Sequence, residues 1–347
     1  MADHENAGAP TAEPEPESTL EPDHILDESP EIVEIRFTVE PGCHDWRLDR
    51  YLQQKIRRLS RTKISQVIRE TLTLNGALVT KAGAKVRRGD EVLIRRPLPA
   101  EPAVPKDVTV AAEGPGWLAL CKPAGLPVHP TARYLHNTLT GVVRERFGPD
   151  SGLNMAHRLD RETSGLVLFG RGPEATRALK ASFRLGEVKK RYLAIVVGDL
   201  TGPLEVSEPI GPALGSAIRI RMGARPDGQP AKTRFEPVAR YGSHTLVSAL
   251  PETGRQHQIR VHLECIGLRL LGDKLYGRPD EFFLTLVEEG LGPAMQAELG
   301  FPRHALHAAH LCFPRPDGSL VPEEADSPLP PDLQSFLDSL LPLGGAT

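Results

Sequence analysis

Charge is divided along this chain so sharply that it limits where a folded core can form. The first 35 residues contain eleven acidic side chains and no Lys or Arg, and residues 316–347 contain six acidic side chains and again no Lys or Arg. Of the 45 acidic residues, 28 therefore lie in 36–315, together with all 42 Lys and Arg. We expect the folded part to be this basic middle, flanked by a disordered acidic arm (1–35) and an acidic tail (316–347).

The arm is rich in Pro and Glu and cannot bury enough apolar surface to fold alone. A second use for such an arm is to imitate a nucleic acid and screen the basic middle from its ligand.

Positive charge is most concentrated in residues 47–96, which carry fourteen basic and four acidic side chains. Apolar residues recur there at helical spacing, first around Leu48 and then after Ser60, a plausible N-cap for a second helix. Two strand-like segments follow. Two short helices and a β-unit with outward basic residues form a phosphate-binding surface for a nucleic acid, and the candidate contacts are Arg58, Arg61 and Lys63.

Several classes of protein are excluded by what the sequence lacks. No run of about 18 uncharged apolar residues predicts a membrane span, and the N-terminus does not resemble a secretory signal. The four cysteines are scattered without a CxxC pair, which fits a reducing cytoplasm. No Gly-rich phosphate loop is present. We therefore expect a cytoplasmic monomer with no cofactor.

Residues 97–106 hold four prolines and predict a stiff linker between two domains. From 107 to 315, strand-like and helix-like segments mix without strict βαβ units, so an α+β fold with a mixed sheet is favoured over a doubly wound sheet. One helix is expected to open with a capping box formed by Thr253 and Gln256.

One candidate reactive group is Asp160, in the string HRLDRETSG directly before a predicted strand. It lies between two arginines in a polar turn, where neighbouring positive charge favours the ionised carboxylate. An ionised carboxylate beside a desolvated pocket can act as a nucleophile or stabilise a cation. The plainer interpretation is a surface ion pair or a turn residue, and the same four letters RLDR occur at Arg47–Arg50, where we interpret them as structural.

Two further segments carry candidate site residues. Tyr192 enters a strand within KKRYLA and suits stacking on a base, although a half-buried strand tyrosine is the alternative. In TGRQHQIRVHL, Arg255, His257 and Arg260 crowd the start of a helix, and Arg260 borders its apolar face. His304, His307 and His310 with Cys312 suggest a metal, but their spacing lacks a carboxylate, so no metal is expected.

Taken together these strings resemble a known family. KPAGLPVHP, HRLDRETSGLVLF, VKKRYLAIVVG, TGRQHQIRVHL, LGDKLYG and HALHAAHLCF occur in this order, and over about 115–315 the chain is similar to the RluA family of pseudouridine synthases. Residues 47–94 resemble the small RNA-binding domain that a ribosomal protein shares with several RNA-modifying enzymes. The resemblance implies a small N-terminal helix-helix-β RNA-binding domain (47–96) and a pseudouridine synthase catalytic domain (107–315).

The resemblance also implies roles for single residues. Asp160 takes the position of the catalytic aspartate and Tyr192 that of the tyrosine that stacks on the target base. Arg260 takes the position of the arginine that pairs with the aspartate, with Arg255 as the second choice. Arg158 matches the arginine that fills the space left by the flipped uridine, and Arg255 and His257 are expected to bind substrate.

The expected reaction breaks the glycosidic bond at N1 of a uridine and rejoins the base through carbon 5, and it needs no metal or redox cofactor. Whether the aspartate attacks ribose, attacks the base or removes a ribose proton stays open, and Tyr192 is a candidate general base for the final proton. Large-subunit ribosomal RNA is the expected substrate, with transfer RNA second. The alternatives are a non-catalytic RNA chaperone or assembly factor, and a glycosidase, although glycosidases usually use two carboxylates.

Overall fold

The computed structural model describes residues 32–56, 60–97, 101–131 and 133–340. These residues form two compact units, and the division between them falls after residue 100, inside the segment expected to be a linker. Glu101 already belongs to the second unit, because its carboxylate accepts the backbone N–H groups of Leu135, His136 and Asn137.

The first unit is a small antiparallel sheet with two helices. Its elements are β1 (Ile32–Thr38), a 3-10 turn (Pro41–Cys43), α1 (Leu48–Lys55), α2 (Arg61–Thr71), β2 (Leu72–Leu74), β3 (Ala77–Leu78) and β4 (Glu91–Pro97). The strands are ordered β1-β4-β2-β3. Leu48 and Leu52 of α1 and Ile64 and Ile68 of α2 are buried in one apolar core with strand residues. The predicted helix-helix-β organisation is confirmed.

Two local details of this unit can be compared with the sequence predictions. Ser60 caps α2 as expected, since its Oγ accepts the N–H of Lys63 at 3.3 Å. The acidic arm was expected to run to residue 35, but β1 begins at Ile32 and pairs with β4 along its whole length. Its alternating residues Val33, Ile35 and Phe37 are half-buried on the sheet, and this packing outweighs the one acid within the strand, Glu34. Residues 1–31 lie outside the described residues.

The second unit contains one large mixed sheet and a separate two-stranded sheet. Its strands are β5 (Thr109–Gly114), β6 (Trp117–Lys122), β7 (Leu153–Met155), β8 (Ser164–Arg171), β9 (Lys189–Val197), β10 (Leu204–Val206), β11 (Ile210–Pro212), β12 (Met222–Ala224), β13 (Thr233–Tyr241), β14 (His244–Pro251), β15 (Arg269–Leu270), β16 (Leu306–Phe313) and β17 (Glu323–Asp326). Its helices are α3 (Leu139–Phe147), α4 (Pro173–Leu185), α5 (Gln258–Cys265), α6 (Asp280–Glu289), α7 (Pro293–Leu299) and α8 (Pro331–Asp338). The expected α+β fold is confirmed.

The main sheet has the order β10-β13-β14-β9-β16-β8-β6-β5, and β11 and β12 form a separate pair. Its pairings are antiparallel except at the centre, where β8 and β16 run parallel over two residue pairs. Gly165 lies in this junction with φ +106°, and a Cβ there would lie 2.2 Å from the carbonyl oxygen of Ala308. Only glycine allows this close approach, which sets where the chain enters β8.

The end of the chain also takes part in the fold. Residues 316–347 were expected to be an acidic tail, but they supply β17, which pairs with β16, and α8. Ala325, Leu333 and Leu337 are buried, and Asp332 forms an ion pair with Arg303. The apolar residues face the core while the acids face solvent or a cation, so overall charge was a poor guide here.

Across the described ranges, each helix is too short or too polar to cross a membrane.

Candidate active site

Asp160 lies in a turn at the entrance to β8. The N–H of Thr163 donates to the carbonyl of Asp160 at 3.2 Å and closes the turn. Lys122, at the end of β6, is fully buried and its Nζ donates to three carbonyl oxygens at 2.9–3.0 Å, one of them that of Arg161. Burial lowers the pKa of Lys122 to about 7. This buried amine ties the turn to the neighbouring strand.

Three histidines hold the same turn from other sides, of which His304 and His307 are buried and His157 is half-buried. His157 accepts the N–H of Leu168 at 3.0 Å. His304 is hydrogen-bonded to the Thr163 hydroxyl at 2.7 Å and His307 to the Ser164 hydroxyl at 3.0 Å. Burial lowers the pKa of His157 to about 3 and those of His304 and His307 to about 4, so all three are neutral at pH 7. Through these hydrogen bonds the three histidines hold the turn in place.

The histidines also bear on the possible metal site. His304 and His307 are engaged with hydroxyl groups, and His310 is bonded to Asp326 at 2.9 Å. Within the described parts of the chain, no three His, Cys, Asp or Glu side chains come together in a way that could hold a metal ion.

Arg260 joins two carboxylates that are far apart in sequence. Its Nη1 donates to Oδ2 of Asp160 at 3.0 Å. Its Nε and Nη2 donate to the two oxygens of Asp273 at 2.7 and 2.8 Å, a bidentate pair. Oδ1 of Asp273 also accepts the N–H groups of Leu275 and Tyr276. Asp273 is fully buried, and it fixes the guanidinium in the plane from which it reaches Asp160.

The sequence left Arg255 and Arg260 open as partners of Asp160, and the residue at which α5 begins distinguishes them. Arg260 lies in the first turn of α5 and is buried. Arg255 precedes the helix, is exposed, and donates from Nε to the carbonyl of Pro230. The expected capping box is wrong, because the side chain of Gln258 accepts both the Thr253 hydroxyl and the Arg255 N–H. The helix therefore starts later than the sequence predicted.

The electrostatics keep Asp160 ionised. Burial opposes ionisation, but the charge of Arg260 outweighs it and holds the pKa of Asp160 below its usual value. Asp273 has its pKa lowered in the same way and more strongly. Arg260 occupies Oδ2 of Asp160, whereas no hydrogen bond from the described residues reaches Oδ1. Within the described parts of the chain, Oδ1 is therefore the carboxylate oxygen that faces the cavity without a hydrogen bond.

Tyr192 faces this carboxylate from β9. It is paired with Ala249 of β14 and Ala308 of β16, which places it at the centre of the sheet. Tyr192, Asp160 and Arg260 line a cavity of about 90 Å³, together with Arg158, Lys190, His257 and, at the exposed edge, Arg255. Burial raises the pKa of the Tyr192 phenol, so the ring enters the cavity as a neutral, flat surface.

Arg158 and Lys190 extend positive charge away from this cavity. The exposed Arg158 also borders two larger cavities, of about 490 and 990 Å³, and Lys190 lines the second of these. Burial lowers the pKa of Lys190 to about 8, and its Nζ donates to the carbonyl of Thr253. An anionic chain can lie along these cavities with one group inserted beside Asp160.

His257 lies next to Asp160 on the other side. Its Nε2 is 3.8 Å from Oδ2 of Asp160, and its Nδ1 is 2.8 Å from the Tyr276 hydroxyl. Its φ of +57° belongs to the left-handed region that non-glycine residues rarely adopt. The strained backbone sets the ring at the cavity wall, directly before α5.

Sequence reasoning missed three buried positions that build the site: Lys122, Asp273 and Tyr276. Each lies in a string that carries the resemblance, KPAG or LGDKLYG, but no local pattern gave it a partner. The available signal was an ionisable residue next to apolar neighbours, as for Asp273 after Leu270 and Leu271, because a buried charge needs a partner.

The N-terminal candidates lie in the other unit. Arg61 and Lys63 occupy the first turn of α2 and are exposed, and Lys63 donates from Nζ to Gln66 at 3.0 Å. Arg58 lies outside the described residues.

Comparisons with known proteins point one way. Residues 116–265 match the family model described as RNA pseudouridylate synthase. The chain is 35% identical to the "Ribosomal large subunit pseudouridine synthase D" of Zymomonas mobilis over 85% of its own length and 94% of that protein. It is 30% identical to the protein of the same name from Salmonella typhimurium, over 89% of its own length and 94% of that protein.

Solved structures agree on the fold. Human RNA Pseudouridylate Synthase Domain Containing 1 superposes with a TM-score of 0.54 at 23% identity, over 70% of this chain and 91% of that one. Human RNA Pseudouridylate Synthase Domain Containing 4 superposes with a TM-score of 0.52 at 25% identity, over 66% and 91%.

Proposed function

The chain belongs to the RluA family of RNA pseudouridine synthases, and from that premise we propose that it converts uridines of large-subunit ribosomal RNA to pseudouridine with Asp160 as the reacting group. The observation that carries the proposal is the ionised Asp160, paired through Oδ2 with Arg260, in a cavity that Tyr192 lines. The names of its relatives support ribosomal RNA as the substrate.

The reaction conserves every atom of the nucleotide. The bond between N1 and ribose carbon 1 breaks, the uracil turns, carbon 5 bonds to ribose carbon 1, carbon 5 loses a proton and N1 gains one. An ionised carboxylate is needed whether Asp160 attacks ribose, attacks the base or takes a ribose proton. Arg260 supplies that ionisation at neutral pH, which is its role in the proposal.

The residues around Asp160 can bind the rest of the nucleotide. A uridine must leave its stack to reach Asp160, at a cost of a few kcal/mol. The Tyr192 ring offers a stacking surface for the base. Arg158 and Arg255 lie at the edge of the cavity, where they can contact phosphates and fill the space that the flipped uridine leaves in the RNA. Arg58, Arg61 and Lys63 add phosphate contacts from the N-terminal unit.

We propose that the protein acts as a monomer, since the cavity with Asp160, Arg260 and Tyr192 needs no second copy to complete it. A ribosomal RNA substrate supports a cytoplasmic location.

The test is to map pseudouridines in RNA from cells with the wild-type gene, without it, and with Asp160→Asn. We expect at least one site in large-subunit ribosomal RNA to be lost in both altered strains. Loss only in transfer RNA would replace the substrate, and an unchanged map would contradict the proposal.

A further inference from the structure

The hydrogen bonds of Tyr276 determine the protonation pattern of His257. Tyr276 is buried, and its hydroxyl oxygen accepts the N–H of Met222 at 3.0 Å. The hydroxyl has one hydrogen to donate. Among the described residues, Nδ1 of His257, 2.8 Å away, is the acceptor within reach. If His257 instead donated from Nδ1, the buried hydroxyl hydrogen would be left without an acceptor, at a cost of about 1–3 kcal/mol.

A histidine that accepts at Nδ1 carries its proton on Nε2. That nitrogen lies 3.8 Å from Oδ2 of Asp160. Burial lowers the pKa of His257 to about 4, against the opposing attraction of Asp160. His257 is therefore a neutral ring with its only N–H on the side of the carboxylate.

We propose that Tyr276 is a positioning residue that holds His257 as its Nε2–H tautomer, and that this N–H, with Arg260, occupies Oδ2 of Asp160 and leaves Oδ1 as the oxygen that reacts. The proposal rests on the proposed function for the identity of the reacting group. The 3.8 Å separation is beyond hydrogen-bond distance. The proposal therefore requires the contact to shorten when substrate binds, as catalytic hydrogen bonds often do.

The surroundings of the ring support a fixed orientation. The Tyr276 ring meets that of His257 edge to face, with centroids 5.6 Å apart, and the Arg260 guanidinium lies over the Tyr276 ring at 4.7 Å. Tyr276 thus contacts both groups that reach Oδ2 of Asp160. The charged or titratable groups that act on His257 are Asp160, Arg260, Asp273 and Arg158.

Three variants separate the hydroxyl from the rest of the site. Tyr276→Phe removes the hydroxyl but keeps the ring against Arg260. His257→Asn removes the imidazole, and asparagine tolerates the left-handed backbone at this position. Tyr241→Phe, at the end of β13, is the matched control for loss of a tyrosine hydroxyl from the same unit.

The first measurement is the tautomer of His257, read from imidazole nitrogen shifts in NMR spectra and assigned by the signal that His257→Asn removes. We expect a proton on Nε2 in the wild type and in Tyr241→Phe, and a mixture of tautomers in Tyr276→Phe. A proton on Nδ1 in the wild type would overturn the proposal. This measurement needs no RNA, so it stands apart from any failure of the proposed substrate.

The second measurement is turnover on the RNA in which pseudouridine is found. We expect Tyr276→Phe to lower kcat by about fivefold, the effect of one neutral hydrogen bond, with KM unchanged. In the His257→Asn background the same change should cost less than about twofold, since both act through one N–H. Two losses that multiply, or a loss in KM alone, would overturn the proposal.

The third measurement is the pH profile of kcat. The Tyr276 hydroxyl stabilises the neutral imidazole, so its removal raises the pKa of His257. A cationic His257 favours ionisation of Asp160 but makes its carboxylate a weaker nucleophile or base. Turnover should therefore fall as His257 becomes protonated, and the acid limb of the profile should move to higher pH in Tyr276→Phe. An acid limb identical to that of the wild type would count against the proposal.

Discussion

The two units of this protein treat charged side chains in opposite ways. In the N-terminal unit the ion pairs are exposed, as between Arg36 and Glu91, and its core is apolar apart from one tyrosine. In the second unit, charged groups are buried and each has a protein partner, as Lys122, Arg260 and Asp273 show. All buried charged residues of the described ranges belong to this second unit.

The difference reflects two uses of charge. Exposed charge costs little to keep, is screened by salt, and attracts a polyanion without fixing its position. Buried charge is expensive unless it is paired, and the pairing then fixes geometry. In the proposed function, the first unit holds RNA and the second orients the reacting atom.

Asp160→Asn gives the largest expected effect. The amide keeps the shape of the side chain but cannot act as a nucleophile or base, so we expect isomerisation to fall by at least about a thousandfold. RNA binding should survive. Single-turnover tritium release from uridine labelled at carbon 5 measures the rate, with Glu91→Gln in the first unit as the control. If Asp160→Asn kept activity within about tenfold of the wild type, Asp160 would not be the reacting group.

Acid should unfold the second unit before the first. His157, His257, His304 and His307 have folded pKa values of about 3 to 4, against about 6.5 in an unfolded chain. Between pH 6.5 and 4 the unfolded state binds more protons, so stability falls as the pH falls, by up to about 3 kcal/mol for each histidine.

The one histidine described in the first unit, His44, is exposed. Hydrogen exchange followed by mass spectrometry at pH 7.5, 6 and 5 resolves the two units. Equal loss of amide protection in both units as the pH falls would contradict the prediction that the second unit unfolds first.

Asp273→Asn should destabilise far more than Glu91→Gln. Asp273 pairs with Arg260 in the interior, and removal of one partner of a buried pair costs about 3–5 kcal/mol. The exposed pair of Glu91 and Arg36 should cost less than about 1 kcal/mol. Urea unfolding gives both values, and similar losses would show that burial does not determine the value of the pair.

Tyr192→Phe and Tyr51→Phe compare one tyrosine from each unit. RNA affinity should hold in both, since the rings remain. Burial raises the pKa of the Tyr192 phenol, which opposes a role as general base. If the hydroxyl nevertheless takes the final proton, its loss slows turnover by about a hundredfold, the lower end for general-base catalysis. Tyr51 donates to the carbonyl of Thr38, and its loss should cost about 1 kcal/mol of stability and no rate. Turnover at the wild-type rate would make Tyr192 a stacking surface only.

The smallest effect should come from Arg61→Gln combined with Lys63→Gln. Each phosphate contact that is lost should flatten the slope of log affinity against log salt by about 0.7 to 0.9, with kcat unchanged. Arg171→Gln with Arg240→Gln, two exposed arginines of the second unit, is the matched control. Binding titrations at several salt concentrations give the slopes, and equal slopes would show that the first unit does not contact RNA.

Sequence patterns predicted elements best where the deciding interactions are local. The Ser60 cap depends on residues within about four positions, and the structure has it. The Thr253–Gln256 capping box failed because Gln258, a competing side chain two residues later, formed the bonds instead.

The candidate site shows the same limit at longer range. Motifs singled out Asp160 and Tyr192, which line one cavity in the structure, but left both Arg255 and Arg260 open as partners of the carboxylate. That choice depended on the residue at which α5 begins, and on Asp273 being folded against the helix to hold Arg260.

The sequence by itself determined the α+β class, the family, and the segments that hold the candidate groups, because periodicity and motifs are properties of adjacent residues. Only the tertiary structure decided which charges meet. Asp160 lies 100 residues from Arg260 and 113 from Asp273, and sheet pairing together with burial brings them together. Burial also decides their effect, because the same ion pair that is weak in water holds geometry and ionisation where water is excluded.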